Sequence, residues 1–202
     1  MTTVEAIRNR INAIGIGEPF TSTQFNALGT RASIDQTLFR LVKKGEITRL
    51  SRGVFVRPKK SRYVGEVTPE PAKVAQAIAN ARGETVQVHG AEAARLLGLT
   101  TQMPIQAVFY TSGPTRELKL GNLPLLLKHV ARRKLAMSGR PAGLALSALW
   151  YLGKEHVTPT TIKTIREKLT PEAFAEFKAE TSSMPAWMAN TLHSYEQEAT
   201  GV

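Results

Sequence analysis

Residues 34–56 read IDQTLFRLVKKGEITRLSRGVFV, and their interpretation decides the fold. Ile34, Leu38, Leu41 and Val42 recur at helical spacing, and Gly45 stops the run, so the first part predicts an amphipathic helix. EITRL and then GVFVRP are β-rich runs joined by Ser51, Arg52 and Gly53, with Pro58 closing the second, which predicts a short hairpin. Ser33 with Gln36 has the capping-box pattern for the start of the helix.

Upstream of this stretch, TVEAIRNRINAI places Val4, Ile7, Ile11 and Ile14 on one helical face before Gly15 and Gly17. EPFTSTQFNALGT follows, with Thr21 and Gln24 as a second capping-box pair, Phe25 and Leu28 three apart, and Gly29 as terminator. Two short helices joined by a Gly-containing turn and then a two-stranded hairpin are the order of a winged helix-turn-helix, expected over residues 1–62. Gly53 allows the tight reversal at the tip of the wing, and the surrounding cations stand where a phosphate backbone can pass.

Downstream, KKSRYVGEVTPEP mixes Lys59, Lys60 and Arg62 with Gly65, Pro69 and Pro71, and residues 63–72 are expected to be a linker. Residues 73–202 then form a C-terminal α+β domain ending in helices. AKVAQAIANARG predicts a helix, ETVQVHG a strand, AEAARLLG a short helix closed by Gly98, and IQAVFYTSG a strand. RELKLGNLPLLLKHV has two apolar runs around Gly121 and Asn122, a two-residue hairpin signal. AGLALSALWYLG is helical, Thr158-Pro159 and Thr170-Pro171 each start a further helix, and a last one spans about Met184 to Glu198. The expected fold is α+β with two domains.

The charge bounds the partners. The chain has 202 residues and a formal net charge of +11, of which +7 falls on residues 1–66, so the excess is concentrated in the first third. Such a balance points to a polyanion, either nucleic acid or an anionic membrane surface. No window is long and apolar enough to span a bilayer, and Glu5, Arg8 and Arg10 interrupt the N-terminus, so no signal peptide is expected and a cytoplasmic location is. The absence of cysteine excludes disulfides, thiolate zinc sites and cysteine nucleophiles.

Little else in the chain carries chemistry. His89, His129, His156 and His193 lie far apart in metal-ligand terms, and Asp35 is the only aspartate, which weighs against two-metal nucleases and phosphotransferases. There is no G-x-S-x-G and no phosphate-binding loop, so neither catalysis nor a cofactor nor a metal is expected. Projected at 100° per residue, the third helix presents Gln36, Arg40 and Lys43 opposite its core face, with Ser33 at the edge. Gln and Arg match adenine and guanine edges in the major groove. Lys43, Lys44, Arg49, Arg52, Arg57, Lys59 and Lys60 are expected to meet phosphates, and Arg31 completes the candidate DNA-binding set. Arg132, Arg133, Lys134 and Arg140 make a second candidate basic surface, with a solvated loop as the plainer reading. Trp150 and Tyr151 are expected to pack between helices, and Trp187 to be partly exposed.

Two stretches carry a family resemblance. Residues 34–56, quoted above, and residues 90–121, GAEAARLLGLTTQMPIQAVFYTSGPTRELKLG, resemble the AbiEi-type antitoxins of type IV toxin-antitoxin systems. The specific parts are Arg40-Leu41 before Lys44-Gly45, Arg49 with Arg52-Gly53, and Ala93-Ala94 leading through Leu97-Gly98-Leu99-Thr100-Thr101-Gln102 to Pro104. Phe55 stands where similar proteins often carry Tyr. The resemblance implies a winged-helix domain that binds promoter repeats in double-stranded DNA and a C-terminal domain associated with antitoxicity. It also implies opposition to a nucleotidyltransferase-like toxin without a tight complex. It places operator contacts around Gln36, Arg40 and Arg52, and no catalysis. A protein-interaction module, a solitary mobile-element regulator, a nucleic-acid processing enzyme and an RNA binder are the alternatives, and the residues leave the oligomeric state open.

Overall fold

The computed structural model describes residues 2–61, 65–67, 69–120 and 123–200, and of residues 60, 61, 65, 66, 199 and 200 the backbone alone. The protein is mixed α+β with small sheets. Its contacts divide the chain into two compact units, Met1–Glu84 with Arg116–Leu126, and Thr85–Thr115 with Leu127–Val202.

In the first unit, α1 (Thr3–Ala13) starts at a capping box in which Glu5 N–H donates to Thr2 Oγ1 and Thr2 N–H donates back to Glu5 Oε2. β1 (Pro19–Thr21) and a 3₁₀ turn (Ser22–Leu28) follow, then α2 (Arg31–Lys43), β2 (Thr48–Ser51) and β3 (Val54–Val56). The three strands form one antiparallel sheet in the order β1-β3-β2, with Phe20 opposite Phe55. Ile7, Ile11, Phe20, Phe25, Ile34, Leu38, Leu41, Ile47 and Phe55 make its core. Phe20 anchors it, stacked on Phe55 at 5.9 Å and edge-on to Phe25 at 5.8 Å between ring centroids.

Several expectations change here. The expected second helix is present over Ser22–Leu28 but as a 3₁₀ helix, and the residues just before it, Pro19–Thr21, form a strand paired with β3. Thr21 caps nothing, and its hydroxyl lies 2.7 Å from that of Thr23. The start of α2 is capped by Thr30 rather than Ser33. Ser33 N–H donates to Thr30 Oγ1 at 3.3 Å, and Ser33 Oγ donates to the Thr30 carbonyl at 3.0 Å. The linker expected over residues 63–72 contains β5 (Gly65–Val67), paired antiparallel with β4 (Lys59–Ser61) just before it, and the start of α3 (Pro71–Arg82). Arg62 lies outside the described residues. α3 groups with the first unit, packing on β1, and Lys73 forms an ion pair with Glu18.

The second unit contains β6 (Val86–Val88), α4 (Gly90–Leu96), β7 (Ala107–Thr111) and the helices α5 (Pro141–Leu152), α6 (Pro159–Lys168), α7 (Pro171–Ala179) and α8 (Ala186–Thr200). β8 (Arg116–Leu120) and the start of β9 (Leu123–His129) group with the first unit and the end of β9 with the second, where β6 pairs antiparallel with β7, Val88 opposite Phe109. Gly121 and Asn122, the expected hairpin tip, lie outside the described residues. Ala93, Ala94, Ala142, Ala145 and Ala148 are buried where α4 meets α5, and Ile162, Ile165, Phe174, Phe177, Met188 and Leu192 complete the core. Small side chains let those two helices approach closely. Thr170 accepts from Ala173 N–H at 3.3 Å, so the Thr-Pro start of α7 takes the form its sequence predicts. No helix among the described residues is long and apolar enough to cross a membrane.

Candidate nucleic-acid interface

Burying Ile34, Leu38 and Leu41 fixes the rotation of α2 and turns its polar face outward. Gln36 and Arg40 are exposed on that face, with no side-chain hydrogen bond or ion pair among the described residues. Lys43 and Lys44 extend the exposed face to the end of the helix. Beside it, β2 and β3 turn back through Arg52 and Gly53, with φ of +78° at Gly53, a conformation that suits glycine. The tip is held to the body of the unit by Ser22 N–H, which donates to the Gly53 carbonyl at 2.9 Å.

Between α2 and the hairpin runs a groove of about 400 Å³, bordered by Arg31, Asp35, Phe39, Arg49, Arg52 and Phe55. Three arginines and one aspartate border it, so its net charge favours an anion. Arg31 Nε donates to Asp35 Oδ2 at 2.9 Å in an exposed pair one helical turn apart. Such a pair adds little stability. Arg49 Nε is 3.3 Å from the Ser51 carbonyl, which leaves the Nη edge of the guanidinium to the groove.

The candidate residues therefore separate. Gln36, Arg40, Lys43, Lys44, Arg49 and Arg52 are exposed together around α2 and the hairpin, and Arg31 joins them on the groove side. Ser33 is half-buried, its hydroxyl directed to the start of its own helix. Arg57 turns inward, its Nη1 donating to the carbonyls of Asn12 and Ile14 at the end of α1, so it is a structural contact. Lys59 is exposed on β4, and the side chain of Lys60 lies outside the description. Phe39 was not singled out by the sequence reading, yet it is 58% exposed on the groove with the Lys43 ammonium 5.2 Å from its ring centre. The signal was present: Phe39 falls outside the 34/38/41 face, so an aromatic there has no core to fill.

In the second unit, Arg132, Arg133 and Lys134 form a 3₁₀ turn rather than an irregular loop. The Arg133 guanidinium and the Lys134 ammonium each lie 5.0 Å from the Trp150 ring centre. Trp150 is thus half-buried beneath two cations, and Trp187 is half-buried against the core of the unit. Arg140 pairs loosely with Glu176 at 3.7 Å. The four histidines each make a hydrogen bond, His89 with Ala91, His129 with Gly113, His156 with Leu152 and His193 with Gln197. No group of three or more His, Asp or Glu that could hold a metal ion occurs among the described residues.

The chain belongs to DUF6088, a family of unknown function, whose profile matches residues 6–176. No curated protein matches it.

Proposed function

We propose that the N-terminal elements act as a winged helix-turn-helix. In this reading α2 enters the major groove of duplex DNA and the β2–β3 hairpin lies along the adjacent backbone or minor groove. The protein is then a sequence-specific repressor of the AbiEi antitoxin type. It autoregulates its operon by occupying operator repeats, and it opposes a nucleotidyltransferase-like toxin without forming a tight complex with it. The observation that carries the reading is the placement of Gln36 and Arg40, exposed and without side-chain partners among the described residues, beside a groove bordered by Arg31, Arg49 and Arg52. Side chains that read base edges and side chains that neutralise phosphates are then side by side, as duplex recognition requires.

Mobility shifts of the full chain on its own upstream region, against a random duplex of equal length at one salt concentration, test the DNA-binding part. The expected result is at least about a thousandfold preference for the upstream region. Equal affinity for both duplexes overturns it. Co-expression with the neighbouring reading frame tests the antitoxin part: growth should be rescued without co-purification of the two proteins. A neighbour whose toxicity is unaffected removes that role and leaves the DNA-binding reading standing.

A further inference from the structure

A cleft of about 940 Å³ opens within the second unit, bordered by His129, Arg132, Arg133, Glu180, Ser112 and Met137 among others. This is the size of a small-molecule site, and no residue of the first unit takes part in it.

The polar groups around the cleft have bonding capacity left over. His129 Nδ1 lies 2.9 Å from the Gly113 carbonyl. A carbonyl only accepts, so Nδ1 carries the proton, and Nε2 remains as an acceptor on the neutral ring or a donor on the charged one. Ser112 Oγ accepts from Thr85 N–H at 2.9 Å, which leaves its own O–H to donate. Arg132 is exposed and makes no ion pair among the described residues. The Arg133 guanidinium lies 5.0 Å from the Trp150 ring centre, a cation–π contact that uses none of its N–H groups, and it makes no ion pair among the described residues. Glu180 accepts from Ser182 Oγ at 3.1 Å and Ser183 Oγ at 2.5 Å, both at Oε1, so Oε2 is left to accept from something else.

One wall of the cleft is held in a strained conformation. Met137 is the one non-glycine residue with positive φ, at 54°, among the described residues. Such a backbone costs on the order of 1–3 kcal/mol and persists only where its surroundings enforce it. Here Arg140 N–H donates to the Met137 carbonyl at 3.0 Å and Ser138 Oγ donates to the Leu135 carbonyl at 2.5 Å. α5 approaches so closely that a Cβ on Gly143 would stand 2.1 Å from the Met137 oxygen. Glycine at 143 is therefore what allows this wall to exist.

We infer that the cleft binds a small phosphate ester of a polyhydroxyl compound, a sugar phosphate or a mononucleotide. The phosphate lies on the Arg132 and Arg133 guanidinium groups, which match its oxygens, and Glu180 Oε2 receives the hydroxyls. The carboxylate makes a bare inorganic anion the poorer ligand, because such an anion has no hydroxyls to offer it.

The test uses the full chain carrying Trp187→Phe, which leaves Trp150, beneath Arg133, as the single tryptophan. Inorganic phosphate, ribose 5-phosphate and adenosine 5′-monophosphate are titrated by Trp150 fluorescence and by calorimetry, and every variant is first checked by thermal melting. The expected result is saturable binding of one or both esters, about tenfold or more tighter than inorganic phosphate. Binding of ribose 5-phosphate alone identifies a sugar-phosphate site, and a further gain with the nucleotide identifies a base subsite. Arg132→Ala weakens every phosphate ligand about tenfold, with Arg132→Gln as the substitute if the alanine variant melts lower. Glu180→Gln brings the ester down towards inorganic phosphate and leaves inorganic phosphate unchanged. No saturable response in the millimolar range overturns the inference. So does a response unaltered in both Arg132→Ala and Glu180→Gln, or displacement by a short single-stranded RNA that binds the same cleft more tightly than either ester.

Discussion

The Arg57 guanidinium closes the end of α1: its Nη1 donates to the Asn12 carbonyl at 3.0 Å and to the Ile14 carbonyl at 2.7 Å. The last carbonyls of a helix lack partners within it and carry the negative end of its dipole, so a cation there stabilises both the helix and the strand that delivers it. Arg57→Ala is expected to lower the stability of the chain by about 1–2 kcal/mol in urea unfolding. Arg52→Ala, at the exposed hairpin tip, is expected to stay within about 0.5 kcal/mol of the parent. An unchanged midpoint for Arg57→Ala would remove its structural role.

Under the proposed duplex-binding function, the two kinds of exposed residue separate by salt and by sequence. Arg52→Ala is expected to weaken binding to operator and random duplex alike and to reduce the salt slope by about one. Arg40→Ala and Gln36→Ala are expected to cost about 1–3 kcal/mol on the operator with a much smaller loss on random duplex. Mobility shifts on both duplexes at several salt concentrations read the difference. A uniform loss in all three variants would mean that α2 makes no base contacts.

Glu84 and Arg116 form an ion pair within the first unit, with side chains only 13% and 16% exposed respectively. Arg116 Nε and Nη1 are buried with no hydrogen-bond partner among the described residues, so the carboxylate is what compensates this cation. Glu84→Ala is expected to cost about 3–5 kcal/mol, because it leaves a charge with little access to water. Joint replacement, Glu84→Met with Arg116→Met, is expected to recover much of that loss. Denaturant midpoints of the two variants check the order, and a double variant weaker than Glu84→Ala alone would contradict it.

His89 is half-buried between the rings of Tyr110 and Tyr151, at 4.7 and 5.8 Å. Burial holds its pKa below the ordinary 6.5, and the nearby charge of Lys128 adds to the effect. The unfolded chain therefore takes up a proton at a higher pH than the folded one. Stability is full above about 6.5 and falls as pH drops from there towards the folded value. Protonation also removes the Nδ1 lone pair that accepts from Ala91 N–H at 3.2 Å. Melting temperatures between pH 7.5 and 5 are expected to fall less steeply in His89→Gln than in the parent, and parallel curves would rule the assignment out.

Much of the first unit could be read from local pattern. Ile34, Leu38 and Leu41 repeat at helical spacing, and Gly53 sits between two β-rich runs, so α2 and the β2–β3 hairpin follow from neighbours in sequence. β1 could not be read this way. Three residues, Pro19–Thr21, carry no periodicity of their own, and they are a strand because Phe20 is buried opposite Phe55, a partner distant in the chain. The same holds for β4 and β5, whose lysines and glycine, close to Pro58 and Pro69, show no strand pattern until their backbones are seen to pair. Arg57 was indistinguishable from its cationic neighbours for a related reason, since a list of charges does not say which one meets the end of α1.

The amino-acid order by itself determined the α+β class, the two Thr-Pro helix starts and the excess of positive charge early in the chain, because each depends on spacing, capping chemistry or composition. Tertiary structure alone decided which cations stay in water and which bind carbonyls or cover Trp150. It also decided that α3 joins the first unit and that Gly143 lets α5 press against the strained carbonyl of Met137. These outcomes depend on distances between residues far apart along the chain, which periodicity does not encode and only the packing of the two cores sets.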